Sequence, residues 1–187
     1  QKDMSNDKYR AFAQYGMGKL YSTLGYNNYN LDSAYHYIVF AEKSFRRMDY
    51  KLKNKLKKSL NTTLIKSQKK VIFKAAYTAS EEANTLQSWD HFLSYYKKPG
   101  FKYQKNATIA LNEIAFRDAS KEGTWQAYAN ILEKYGKGMA SRSKGLYSKA
   151  QTELLNIYIK ENSWDSFEEF SSLFPSNSYV KNGVLNE

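Results

Sequence analysis

The chain reads as all-α, a stack of helical hairpins coiled into an α–α superhelix of about seven to nine helices. Three observations predict this. Gln1–Tyr15, Asn27–Lys98 and Phe101–Glu122 contain neither Pro nor Gly, so long helices can run without interruption. Apolar residues recur along these stretches at three- and four-residue spacing. A tryptophan-centred motif then occurs three times in the second half.

The first helix is expected from about Asp7 to Leu24. Asp7 is placed to accept from the free N–H groups of the first turn, and Gly25 is a natural stop. Tyr9, Phe12, Ala13, Gly16, Met17, Leu20 and Leu24 form its apolar stripe. A Gly/Asn-rich loop over 25–30 leads to a second helix from about Leu31 to Met48, striped by Ala34, Tyr37, Ile38, Ala41 and Phe45. So short a loop makes the pair a hairpin, residues 7–48. Lys-rich helices follow over 50–83. Tyr50, Leu52, Leu56 and Leu60 keep the first helical, and Asn61-Thr62-Thr63 is a break and new N-cap. Leu64, Val71, Ile72, Ala75, Ala76 and Ala79 carry the next helix to about Ala83.

Repeats start near residues 88, 124 and 163. Ser88-Trp89-Asp90-His91-Phe92 returns as Thr124-Trp125-Gln126-Ala127-Tyr128 and Ser163-Trp164-Asp165-Ser166-Phe167, with the tryptophans 36 and 39 residues apart. Each copy is expected to start with a Ser or Thr N-cap. Trp89, Trp125 and Trp164 then serve as equivalent anchors, with Phe92, Tyr128 and Phe167 one turn on. Tyr95–Pro99, Leu132–Gly136 and Leu173–Pro175 close the leading helices with an aromatic and then Pro or Gly. Second helices are expected over about Tyr103–Ala119 and Ser143–Tyr158. The third copy stops short of its second helix, so residues 1–187 read as one repeat domain of a longer protein.

These residues resemble the tetratricopeptide-like repeats of Bacteroidetes cell-envelope proteins, which carry a Thr/Ser-aromatic helix start, a Phe-x-x-x-Tyr-Pro-x-Ser end and an Ala-rich second helix. Ser163–Tyr179 matches most fully, and the resemblance covers about Leu86–Tyr179. In the Trp125 copy Gly136 stands in place of Pro, and the Trp89 copy has two extra residues before Pro99. Ala13, Gly16, Tyr21, Ala34 and Ala41 of the first hairpin are similar to the small-residue contacts of such repeats. The resemblance implies a non-catalytic scaffold that binds another protein, exported to the periplasm or cell envelope. A cytoplasmic location is the runner-up. The start at Gln1 reads as that of a processed protein or an excised piece.

Composition agrees with a folded helical domain. Hydrophobic residues make up 42% of 187, enough for a core. With 17 Tyr, 10 Phe and 3 Trp, interlocking rings between helices outweigh base or sugar stacking as the reading of the aromatics. The absence of Cys excludes disulfides, thiolate catalysis and Cys-based zinc sites. The densest apolar run, Tyr35–Ala41, is far short of the roughly 18 residues of a membrane span.

Charge is the sharpest functional signal. The net +11 is concentrated in residues 43–74, which hold 12 Lys and Arg against one acid, Asp49; the rest of the chain is balanced. The candidate binding residues are Arg46, Arg47, Lys51, Lys53, Lys55, Lys57, Lys58, Lys66, Lys69, Lys70 and Lys74. Lys51, Lys55 and Lys58 fall near one helix face, and Lys66, Lys69, Lys70 and Lys74 make a second line. A solvated helix face is the first reading of this segment; beyond it, such a field suits an acidic protein, an anionic glycan, an acidic lipid or nucleic acid held by counterion release, so a polyanion-binding module is the alternative function. Nucleic acid is disfavoured, because the cations are nearly all Lys and no reading motif accompanies them.

Catalytic constellations are poor. Of the two histidines, His36 sits among aromatics, and Asp90 cannot orient the adjacent His91 on a helix. Glu81-Glu82 and Glu168-Glu169 point apart, whereas acid–base pairs must converge. Gly16-Met17-Gly18 and Gly136-Lys137-Gly138 lack the rest of a phosphate loop. No enzyme, cofactor or metal site is expected. Asp32-Ser33-Ala34 resembles a Bacteroidetes O-glycosylation signal, and an N-cap acid explains Asp32 equally well. Asn61-Thr62-Thr63 and Asn106-Ala107-Thr108 fit the N-glycosylation pattern.

Overall fold

The computed structural model describes residues 4–97, 100–161, 164–177 and 180, with side chains from Tyr9 onward. The described residues are all-α. Nine helices follow in order: α1 Met4–Tyr21, α2 Leu31–Arg47, α3 Tyr50–Leu56, α4 Thr62–Ala83, α5 Leu86–Tyr95, α6 Phe101–Glu122, α7 Trp125–Arg142, α8 Lys144–Glu161 and α9 Trp164–Leu173. The chain divides into two compact units at Gln104/Lys105.

Side-chain caps set most of the helix starts. Asn30 Oδ1 accepts from Ser33 N at 2.8 Å, Asp49 Oδ1 from Leu52 N at 2.7 Å and Asn61 Oδ1 from Leu64 N at 2.9 Å. Each satisfies a first-turn N–H that the helix itself cannot. Asp7 and Ser88 are not caps. α1 begins at Met4, which puts Asp7 inside its first turns. Thr85 caps α5, in a capping box where Ser88 N donates to Thr85 Oγ1 and Thr85 N to Ser88 Oγ. Ser88 is therefore the third helical residue.

In the first unit α2 packs against both α1 and α4. Its buried face, Ala34, Tyr35, Ile38, Ala41, Ser44 and Phe45, largely follows the expected stripe; Tyr37 is half-buried and stacks on Tyr21 at 5.5 Å. The stripe of α1 is different. Ala11 and Gly18 are buried, whereas Tyr9, Ala13, Gly16 and Leu20 are exposed and Leu24 is 81% exposed in the turn beyond the helix. The cause is close approach: a Cβ on Gly18 would lie 2.7 Å from Ile38 Cγ1 and 3.2 Å from Ala34 O, while Gly16 has nothing within 4 Å. Apolar residues occur on both sides of α1, and the side that admits α2 is the one with a glycine at the crossing. On α4, Ile65, Ile72, Phe73, Ala76 and Ser80 are buried and Val71 is exposed. Leu56 and Leu60 join Phe45, Met48, Ile65 and Ala11 in one apolar cluster. Tyr77 of α4 meets Trp89 and Phe92 of α5 at 5.3 and 5.7 Å.

A local register recurs at 39 residues. Leu86, Trp125 and Trp164 open α5, α7 and α9 at that interval. Asn84 and Gly123 have left-handed φ of 45° and 69°, and the caps Thr85 and Thr124 follow them. Asn162-Ser163 have matching residue types and lie outside the described residues. In this register Trp89, Tyr128 and Phe167 correspond, as do Phe92, Ile131 and Phe170; all are buried except the half-buried Phe167. In the preceding helices Ile72, Leu111 and Ala150 correspond, then Ala76, Ala115 and Leu154, then Ser80, Ala119 and Tyr158, all buried.

The three tryptophans are therefore not equivalent anchors. Trp89 is 2% exposed at the fourth position of α5. Trp125 is half-buried beside Tyr158, 5.9 Å away, at the first position of α7, and Trp164 is 64% exposed at the first position of α9. The cap at Thr85, not Ser88, moves Trp89 one turn inward. Gly136 does not end its helix either, since α7 runs on to Arg142. A Cβ on Gly138 would sit 3.3 Å from Thr108 Cγ2, and one on Gly136 3.4 Å from Tyr147 Cε2, so these glycines lie at helix contacts. As expected, α9 ends at Leu173, ahead of Pro175.

Two glycine substitutions test the face assigned to α1. Gly18→Val is expected to destabilise the protein by about 1–3 kcal/mol through overpacking. Gly16→Ala, in open space, is expected to stabilise it by about 0.5–1 kcal/mol through helix propensity. Thermal unfolding of both variants checks this, and shifts of the same sign and size would contradict the assignment.

Candidate functional site

The basic segment folds entirely within the first unit, on α2, α3, the turn over 57–60 and α4 as far as Lys74. α3 has only seven residues, and its Leu56, with Leu60 just beyond, points into the apolar cluster. That orientation leaves Lys51, Lys55, Lys57 and Lys58 exposed. On α4, Lys66, Lys70 and Lys74 follow one another at four-residue spacing and are exposed, with Val71 among them. The single acid of the segment, Asp49, has its carboxylate engaged as the cap of α3. Together with Arg47, these make eight exposed cations, none with a carboxylate partner among the described residues.

The other three candidates are tied into the protein. Lys53 Nζ donates to Arg46 O at 2.9 Å and lies 5.9 Å from the Phe45 ring. Arg46 pairs with Glu42 one turn back. Lys69, only 22% exposed, pairs with the other oxygen of Glu42 at 3.2 Å and lies over the Tyr35 and Phe73 rings. Burial alone would push the Glu42 carboxyl up, but Lys69 and Arg46 outweigh it and hold the group below its ordinary value of 4.5. Its partner Arg46 at i+4 is visible in the sequence as a helical ion pair, whereas Lys69 lies 27 residues away.

A second polar cluster joins α2 to α5. Asp32 Oδ1 accepts from Tyr96 OH at 2.5 Å, and His91 Nε2 lies 3.0 and 2.9 Å from the two Asp32 oxygens. Tyr95 OH donates to Asp32 O at 3.2 Å, and the His91 ring stacks on Tyr95 at 5.2 Å. Asn30 is the cap of α2, so Asp32 is not the N-cap acid; it accepts across the fold instead. Burial and then the Asp32 carboxylate push the Tyr96 phenol well above its ordinary range. With Nε2 held by Asp32, His91 acts here as a tie between helices. The 59 residues separating this pair left no local sign of it. Glu81, Glu82, Glu168 and Glu169 are exposed. Among the described residues, no group of three or more His, Asp or Glu is placed to hold a metal, and no helix is long and apolar enough to cross a membrane.

No family model, curated protein or solved structure matches this chain with significant similarity.

The Glu42 node makes stability depend on pH with a defined sign. Its folded pKa is depressed, so the ionised carboxylate stabilises the protein above about 4.5, and that contribution is lost as pH falls through the folded value. Glu42→Gln is expected to cost about 1–2 kcal/mol at neutral pH, as for a charged hydrogen bond. Denaturant unfolding of parent and variant should show this gap closing in acid; a gap that persists there would contradict the assignment.

Proposed function

We propose that this chain is a non-catalytic binding module, built of tetratricopeptide-like hairpins in an α–α superhelix, that serves in the cell envelope as a protein–protein scaffold. Its partner is an acidic protein that docks on the surface of α3 and α4. One observation carries the reading: eight exposed cations lie on a single unit without carboxylate partners among the described residues. Uncompensated charge of this density favours an anionic partner.

Tyr50 and Val71 are exposed among these lysines, and a protein interface, unlike a uniform polyanion, contacts apolar and charged groups together. Arg47 is the one Arg of the eight, which argues against base reading in nucleic acid. The 39-residue register supports a repeat architecture, although it is longer than the roughly 34 residues of a typical tetratricopeptide unit. Equivalence between repeats now rests on the capping junctions and buried rings, not on the three indoles. The reading as a non-catalytic protein is supported by the engagement of His91, Asp32 and Glu42 in ties between helices.

Titration with an acidic peptide, with heparin and with a DNA duplex tests the site. Binding of the acidic peptide is expected to weaken steeply between about 50 and about 200 mM salt. The triple variant Lys55→Glu, Lys57→Glu, Lys58→Glu should bind it about tenfold or more weakly at low salt while melting normally. Absence of binding by the parent at low salt would remove the proposal, and tighter binding of heparin would favour the anionic-polymer alternative.

A further inference from the structure

Residues of α2, α4 and the end of α5 line a slot of about 480 Å³. His36, Val39, Phe40 and Lys43 follow at three- and four-residue steps along α2 and line it together. Tyr95 and Lys97 complete the lining from the end of α5, together with the less exposed Tyr35 and Lys69. The slot is preformed, because Tyr35 OH accepts from Lys97 N at 3.0 Å and donates to Lys97 O at 3.2 Å.

Apolar and cationic groups alternate around it. Phe40 is 36% exposed, with the His36 ring edge-on at 4.2 Å and the Lys43 ammonium 5.5 Å from its centre. Neither Lys43 nor Lys97 has a carboxylate partner among the described residues. The lining contains no Asn, Gln, Ser, Thr or acid, and the hydroxyls of Tyr35 and Tyr95 are already bonded. Apart from the His36 ring, the polar groups left to meet a ligand are ammonium groups, which bond carboxylates more strongly than neutral hydroxyls or base edges. An apolar ring flanked by carboxylates meets both kinds of wall.

We propose that the slot binds a short acidic peptide segment by one aromatic side chain, seated against Val39, Phe40 and Tyr95, with flanking carboxylates on Lys43 and Lys97. This rests on the acidic-partner reading and names the feature of the partner that is recognised.

The full chain is titrated with two labelled peptides of equal charge, each a run of Glu interrupted once, by Trp in one and by Ser in the other. A single-stranded oligonucleotide of matched charge is the competitor. The Trp peptide is expected to bind about tenfold more tightly than the Ser peptide. Val39→Ser and Phe40→Ser, neither of which alters the charge, should each remove that difference and leave binding of the Ser peptide unchanged. Neither residue belongs to the buried core, and thermal melting confirms that the variants fold. In the parent, the His36 ring resonances should shift with the Trp peptide alone. Equal affinities that still fall with salt would overturn the slot and leave the acidic-partner reading standing. Failure of both peptides at low salt would overturn both, and preferential binding of the oligonucleotide would overturn the choice of a peptide.

Discussion

Burial of Leu56 and Leu60 against Phe45, Met48, Ile65 and Ala11 holds the most basic part of the chain to the rest of the first unit. Each such leucine contributes about 1.5–3 kcal/mol on leaving water. Repulsion between exposed ammonium groups a few ångströms apart in water is only about 1 kcal/mol, and salt reduces it further. The apolar term therefore wins, and α3 docks despite its charge. The same docking turns Lys51, Lys55, Lys57 and Lys58 outward, so one packing event both completes the core and creates the electropositive surface.

Charges that fall inside this unit are treated differently. Glu42 pairs with both Arg46 and Lys69, the latter lying over the rings of Tyr35 and Phe73, and Asp32 gathers Tyr96 and His91. A half-buried carboxylate left unpaired would be costly, so each has acquired partners from distant helices. These ties join α2 to α4 and to α5, the elements that enclose the slot around Phe40. Most of the exposed lysines are left available, while the half-buried carboxylates Glu42 and Asp32 are used to fix helices.

Much of the fold was legible one residue at a time. Asn61 as a break and cap, the start of α2 at Leu31 and the end of α9 at Leu173 all follow from short-range chemistry, because a cap needs only its own first turn. Periodicity was less informative on α1, where two opposite faces carry apolar residues and only the contact of Gly18 with Ile38 selects between them. The tryptophan motif fell at the starts of α5, α7 and α9 but aligned the three helices on the wrong residue. Thr85 and Ser88 are both competent caps, and the left-handed Asn84 before Thr85 sets the frame. Of the eleven basic candidates, which eight face solvent unpaired was not legible, since the engagement of Lys69 and Lys53 depends on Glu42 and on the Arg46 carbonyl.

By itself the sequence determined that the chain is helical, where most of its helices begin and that its excess positive charge lies in one segment. Those properties depend on turns, caps and composition, which act within a few residues. Only the tertiary structure decided which side of α1 is buried, which cations are tied and that Asp32 meets His91. These depend on helix crossings that bring together side chains as many as 64 residues apart, where no spacing rule in the chain reaches.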